Sequence, residues 1–590
     1  EVRGTIIDLC LSLLWRPPFY SSCSKYVLRS PCCDSASSSC PITYSGHNYH
    51  KVYHQQPNLC LKSVRDKMGS NVDLDQIFLK IGEFGPYQKK QFVLLGMPSV
   101  LAALQMLCWV FASPKVPHRC MLPYEMNFTR SDINYSLPVD ILNASFPWDS
   151  VTHEYSQCSM YDDDGVEVQC SKYVYDTSLN PSSVVMTYGM VCQNSWLSAL
   201  TISLFMGGVL VGSVFYGCLS DWIGRKKTFY AAVLVHLVVG TCSAATPDVM
   251  SFIVLRFLVG TTCPGLFITA FCLIIELVGP TKRMAIGTYI MGFFTIGYMM
   301  TPLFGYLFPH WRVLLLIIAM TGTFFLPYYW LIPESPRWLI SKGRIIEAEA
   351  VLLTICKSNN TDLPKDWVKE GSIDSPEKTV EFSKPQSQSV LTLCQYPQLR
   401  KRTINLWFNW FVNSAVYYGL SLNTSNLGGS TYINALLSAA VEIPAYLMVL
   451  LLLDRLGRKW PLCVCMVLGG VALLITPLIP EDLLWVRITL SMAGKLAISA
   501  SFGIIYIYTA ELFPTVVRTI ALGSGSMCAR VGGIIAPYIN LLSEVWKPLP
   551  LLLFGVLSCT AGVLALLVPD TLKRKLPETF EEAENFGKKK

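Results

Sequence analysis

Apolar runs of roughly 20 residues alternate along this chain with short charged connections, and that length spans about 30 Å of hydrocarbon as a helix. Twelve such runs can be drawn, near 91–112, 196–216, 228–246, 249–276, 284–307, 311–332, 402–422, 431–453, 459–478, 483–509, 516–540 and 547–568. Backbone groups in lipid must be satisfied within their own segment, so the pattern predicts helices, not strands. Gly and Pro inside such runs are ordinary for membrane helices. The first 67 residues break the pattern. They are rich in Ser and Cys, lack sustained periodicity, and carry an apolar stretch at 5–15 with no basic region before it, which argues against a signal peptide. A disordered extension is expected over 1–67, with Met68 a natural start. Its Cys and His residues fit no zinc spacing. The plan is then a six-helix half over 68–340, a polar linker over 341–401 (helical at 344–357), a second half over 402–568 and a tail over 569–590.

Composition supports this reading. Of 590 residues, 52% are hydrophobic and 15% charged, against about 25% charged in soluble proteins. The net charge of +7 matters by its distribution, which points to no nucleic-acid partner. Arg225, Lys226, Lys227, Lys282, Arg283, Arg455, Arg458, Lys459 and Arg518 fall in short connections on one side, and basic short loops mark the cytoplasm. Both termini are then expected to be cytoplasmic. The loop 113–195 lies opposite, with ten acidic and four basic residues. It has four cysteines (Cys120, Cys158, Cys170, Cys192), an even number as an oxidising compartment favours. Sequons at Asn127, Asn134 and Asn143 predict glycosylation there.

The chain repeats itself. Asp221-Trp-Ile-Gly-Arg-Lys-Lys227 follows run two, and Asp454-Arg-Leu-Gly-Arg-Lys459 follows run eight. Glu276…Arg283 and Glu511…Arg518 follow runs four and ten, and Pro333-Glu334 and Pro569-Asp570 end runs six and twelve. The separations match at 55 and 57 residues, then 58 and 59. Parallel six-span repeats predict a substrate site at mid-depth between the halves.

Gly217-x-x-x-Asp221-x-x-Gly224-Arg225-Lys226 resembles the loop signature of the major facilitator superfamily, and Pro333-Glu-Ser-Pro-Arg-Trp-Leu339 a signature of its sugar and organic-ion branches. Gly82-Glu-Phe-Gly-x-Tyr-Gln88, His118-Arg-Cys120 and Glu511-Leu-Phe-Pro-Thr-Val-Val-Arg518 narrow this. Over about 70–590 the chain resembles the organic cation, carnitine and organic anion transporter family. Asn423-x-x-Asn-Leu-Gly428 and Val441-Glu-Ile-Pro-Ala-Tyr446 are most similar to its carnitine-type members. The resemblance implies an all-α fold of twelve helices in two pseudo-symmetric bundles, a multi-pass protein of the plasma membrane, and Cys120–Cys170 and Cys158–Cys192 bridges. It also implies that Arg530 stands where cation members carry Asp and carnitine or anion members Arg, and that Tyr417 is a substrate contact.

A charge inside a span costs about 2.5–3.5 kcal/mol at the bilayer centre and needs a reason. Arg530 in run eleven offers a planar fork to a substrate carboxylate; the alternative is a structural pair with an acid. Lys495 in run ten is a second anion contact or a snorkelling Lys. Glu442, two residues before Pro444, is an ammonium contact or the buried partner of Arg530 or Lys495. Tyr417, Tyr418, Tyr506 and Tyr508 offer faces to an ammonium, with Phe267 and Tyr289 weaker candidates, and Asn413 shares a helix face with Tyr417. Asp221, Arg225, Glu276, Arg283, Glu334 and Arg337, mirrored by Asp454, Arg458, Glu511 and Arg518, are expected to gate by salt bridges that form when the inside closes. His236 and His310 read as ordinary helix residues. No nucleophile–base pair, phosphate loop or metal spacing appears in the body, so no enzyme, cofactor or metal is expected. The expectation is transport of a zwitterionic or cationic amine by alternating access. An organic-anion transporter and a ligand-sensing receptor stand as alternatives, and sodium or proton coupling stays open.

Overall fold

In a computed structural model of the chain, the described residues run from 74 to 586, apart from 115, 129–132, 150–153, 163, 179–180, 365–366, 368–392, 394, 515–516, 573, 575–576 and 578. The extension 1–67 and most of the linker beyond its expected helix at 344–357 lie outside them.

Among the described residues, twelve helical spans appear in the predicted order. Ten are long and apolar enough to cross a membrane. The others are the seventh, Pro397–Leu422, whose hydropathy is lowered by Asn405, Asn409 and Asn413, and the twelfth, Leu549–Ala565, which has 17 residues. The seventh starts five residues before its apolar run because its first turn is capped from the tail. Pro397 needs no donor at that position, and the Glu584 carboxylate accepts from Gln398 N at 3.0 Å and Leu399 N at 3.2 Å. The linker helix is Ile345–Asn359.

Span eight is broken into Thr431–Ala440 and Glu442–Leu456. Pro444 has no N–H to give the Ala440 carbonyl, so the ladder opens there. The break places Glu442 in the first turn of the second piece.

Two large apolar cores follow the repeat. One is built from the first half, and the other from the second half joined by Met106, Phe205, Met206, Val209 and Tyr298 of the first. Hydrogen bonds join the halves from Ser195 Oγ to Glu544 (2.9 Å) and from Ser203 Oγ to the Ile534 carbonyl (2.7 Å). Tyr432 stacks on Phe111 at 5.3 Å. These contacts lie between mid-depth and the end that carries the large loop.

That loop has a small fold of its own. Strand His118–Cys120 pairs antiparallel with Tyr173–Tyr175, and Cys120 is bonded to Cys170 and Cys158 to Cys192. Arg119 grips Glu125 through two 2.7 Å bonds and also donates to the Tyr135 carbonyl at 2.9 Å. Burial raises the Glu125 carboxyl, but Arg119 outweighs it and holds it below its ordinary range. The Asn134 and Asn143 side chains are exposed.

Candidate functional site

The site grows from span seven. Gly525 and Gly532 of span eleven face it, and a Cβ at either would collide with the Trp410 ring or the Phe411 carbonyl. Without those side chains the two helices lie flush, as small residues permit in membrane packing. Arg530, halfway along span eleven between these glycines, is thereby held within electrostatic reach of Tyr418 and Tyr506. It is half-buried, and its Nε is a buried donor with no hydrogen-bond partner among the described residues. Trp410 meets Tyr506 edge-on at 4.4 Å, and Phe502 lies 5.8 Å from Tyr506. An aromatic wall therefore stands beside a guanidinium whose Nε has no partner among the described residues.

Lys495 and Glu442 are 1% and 0% exposed, so neither snorkels. Lys495 Nζ lies 3.6 Å from Glu442 Oε1, donates to Ser421 Oγ at 2.5 Å and sits 3.3 Å from the centre of the Tyr417 ring. The Tyr417 hydroxyl donates to Glu442 at 2.6 Å. From the first half, Thr295 donates to the other Glu442 oxygen at 3.0 Å, and Tyr298 shares a 2.8 Å bond with Ser438. Glu442 thus partners Lys495, not Arg530. Asn413 turns away from this group, donating to the Asn409 carbonyl at 3.1 Å and accepting from Ser501.

At the end opposite the large loop, each half repeats one bracing pattern. Arg225 pairs with Asp221 at 2.9 Å and Glu276 at 3.1 Å, and Glu334 accepts from Arg225 N at 2.9 Å and Lys226 N at 3.2 Å. Those amides open span three, so Glu334 caps it where the helix dipole favours an anion. Burial raises the Glu334 carboxyl despite these bonds. In the second half Arg458 pairs with Glu511 at 2.9 Å, and Asp570 accepts from Arg458 N at 3.2 Å. The Asp454 side chain lies outside the described residues. Gly224 and Gly457 have φ of +106° and +83°, and a Cβ on either would strike the capping carboxylate. Arg283 and Arg337 both clasp Asp75. Burial raises the Asp75 carboxyl, but the two guanidiniums outweigh it and hold it below its ordinary range. Arg518, the mirror of Arg283, keeps its Nε without a partner among the described residues.

Comparison with known proteins now fits this geometry. The family model described as "Sugar (and other) transporter" matches residues 146–582. The organic cation transporter protein of Drosophila melanogaster is 43% identical over 532 residues, covering 87% of this chain and 95% of that one. The chain belongs to the organic cation transporter family of the major facilitator superfamily. The human organic cation/carnitine transporter 2 is 33% identical over 527 residues, covering 86% and 94%. In fold, the xylose transporter XylE from E. coli superposes with a TM-score of 0.54 at 15% identity, covering 83% of this chain and all of that one. This is a multi-pass membrane transporter and not an enzyme.

Within this family member, Tyr417, Lys495 and Glu442 form one cluster and Arg530, Tyr418 and Tyr506 another. Tyr508 points elsewhere, donating to the Pro569 carbonyl at 2.9 Å. Tyr289 is exposed. Two residues escaped the sequence reading. Asp75 lies ahead of the first apolar run, where no span rule looks. Arg256 should have been found, because it is a charge inside run four. It is 2% exposed, donates to Gln105 at 3.4 Å and lies 4.6 Å from the centre of the Phe205 ring. His236, fully buried, completes that group through Gln105 at 3.4 Å and Thr262 at 2.9 Å.

Proposed function

We propose that this transporter carries a small carnitine-like zwitterion across the plasma membrane, with Arg530 as the anchor for the substrate carboxylate. The observation that carries this reading is Arg530, halfway along span eleven, whose buried Nε has no hydrogen-bond partner among the described residues. Lys495 and Glu442 neutralise each other, so Arg530 leaves the group with one net positive charge. A carboxylate answers that charge, and a fork-shaped guanidinium binds it in two places. The ammonium end falls to the faces of Tyr418, Tyr506 and Phe502, because Lys495 already occupies the Tyr417 face. The human relative's name includes carnitine and the Drosophila relative's organic cation, and a zwitterion satisfies both.

The charged braces opposite the large loop support a modified view of gating. Each ion pair named there lies within one half. They keep each bundle rigid while the bundles rock, with the loop end closed and the basic, cytoplasmic end the one that opens.

The test is uptake of labelled carnitine, with and without sodium, by cells expressing the chain. Arg530→Ala abolishes uptake while surface protein is unchanged; uptake at the parent rate would sink the assignment. The net positive charge also suits an organic anion. A dicarboxylate that is itself transported, and that competes with carnitine, would favour that second reading.

A further inference from the structure

The tail beyond span twelve ends in a short helix, Phe580–Asn585, built into the base of the second half. Ala583 is fully buried, and the Phe580 ring stacks on Tyr396, just ahead of span seven, at 5.1 Å. The tail and span seven cap each other. Glu584 accepts from the first amides of span seven, at Gln398 and Leu399. In return Arg402 of span seven donates to the Ala583 and Phe586 carbonyls at 2.6 Å each, where a helix end leaves acceptors free. The tail is thus a strap over the start of the span that carries Tyr417 and Tyr418.

Thr579 opens the strap. It is exposed, and its hydroxyl oxygen caps the helix by accepting from Glu582 N at 3.3 Å. Glu581 and Glu582 follow it two and three residues on. A hydroxyl with acids at those positions is the kind of target that a protein kinase with a basic cleft selects. The helix has six residues, far short of the roughly 12–15 that hold a helix without tertiary support, so local opening can present Thr579 in extended form.

We propose that Thr579 is a phosphorylation site, through which an acid-directed kinase releases the strap from span seven. Such a kinase meets the tail only where the basic end is cytoplasmic, as read above. Thr579 Oγ attacks the γ-phosphorus of a nucleoside triphosphate. The Oγ–P bond forms, the bond from that phosphorus to the bridging oxygen breaks, the diphosphate leaves, and the hydroxyl proton passes to the kinase. The phosphate adds about 1.5–2 negative charges beside Glu581 and Glu582, and a helix N-terminus returns only about half a positive charge. The cations on the strap lie at its other end. There Arg402 is spent on the two carbonyls, and Arg574 lies 5.9 Å from the centre of the Phe586 ring. Repulsion therefore outweighs capping. Once the strap leaves, Gln398 and Leu399 lose their acceptor and span seven loosens at its base.

The test treats the purified full-length transporter with an acid-directed kinase and ATP. Mass spectrometry finds phosphate on Thr579, hydrogen exchange at Gln398 and Leu399 quickens severalfold, and carnitine uptake by the reconstituted protein falls severalfold. Thr579→Asn keeps a capping side chain and takes no phosphate, so the kinase leaves its exchange and uptake unchanged. Should that variant misfold, Glu582→Ala, which removes an acid the kinase reads and keeps the Thr579 hydroxyl, shows the same resistance. No phosphate on Thr579, or phosphate with exchange unchanged or slowed, overturns the inference. The exchange readout decides even if carnitine is not carried. A C-terminal epitope that stains only in permeabilised cells checks the side of the tail separately.

Discussion

Lys495 and Glu442 show what a buried pair demands. Each is out of water, so each depends on the other, on Ser421, on Tyr417 and on Thr295. Glu442→Ala leaves the ammonium unpaired, and breaking such a pair costs about 3–5 kcal/mol. The expected result is a marked fall in unfolding temperature. The Glu442→Gln, Lys495→Met double variant recovers most of it, since neutral replacement of a whole pair is often near neutral. Asp75 gives a pH-dependent case. Its carboxyl pKa is depressed in the fold, so its stabilisation is present above the ordinary value of about 3.9 and lost as pH falls through the folded value. Asp75→Asn therefore lowers the unfolding temperature at pH 7, and the gap to the parent closes as pH falls through the lowered folded value. That Arg530, Lys495 and Glu442 lie within helical spans was legible, because a charge in an apolar run stands out. Which charge partners which was not, since pairing depends on helix rotation and on Thr295, an uncharged residue from the other half.

At the level of elements, the repeated loop signature is explained by one contact. The third helix of each half starts on a glycine with positive φ, and a carboxylate from the end of the sixth helix sits where a Cβ would be. Gly224→Ala and Gly457→Ala each put a side chain in a positive-φ, extended-ψ conformation that is essentially reserved for Gly, at about 1–3 kcal/mol, and displace the cap. Both are expected to reduce transport severalfold. Gly217→Ala is expected to transport at the parent rate, because nothing lies within 4 Å of its would-be Cβ. Equal damage from all three would refute the cap account. The signature's order was readable from sequence; that Gly217 faces open space was not, since open space leaves no trace in a motif. Span boundaries were legible to a few residues wherever hydropathy changed sharply. Span seven was misjudged because its first turn is charged and capped by the tail, a contact across 186 residues.

At the scale of the whole molecule, the halves touch near the large loop and each is braced separately at the far end. Ser195 and Glu544 lie 2.9 Å apart across that contact. Cysteines placed at both positions and joined by a short bis-methanethiosulfonate are expected to stop uptake, while either single cysteine with the same reagent leaves it intact. Continued uptake in the joined protein would exclude rocking at this end. The twofold plan was plain from matched spacings in the sequence. The departure from symmetry was not. Asp75 serves the first half, and Arg518 in the second has an Nε with no partner among the described residues, because the helix carrying Asp75 precedes the first span and no repeat announces it.

The asparagines of span seven bear on how the protein is made. Asn405 donates to the Leu564 carbonyl of span twelve at 2.6 Å, 159 residues further on, and Asn413 accepts from Ser501 of span ten. A segment this polar partitions poorly into lipid alone. Its partners are synthesised only after it has left the ribosome. Span seven must therefore wait beside the insertion machinery, or re-enter the bilayer, until the last helices arrive. Quality control during synthesis would act on that interval, well before any substrate is met.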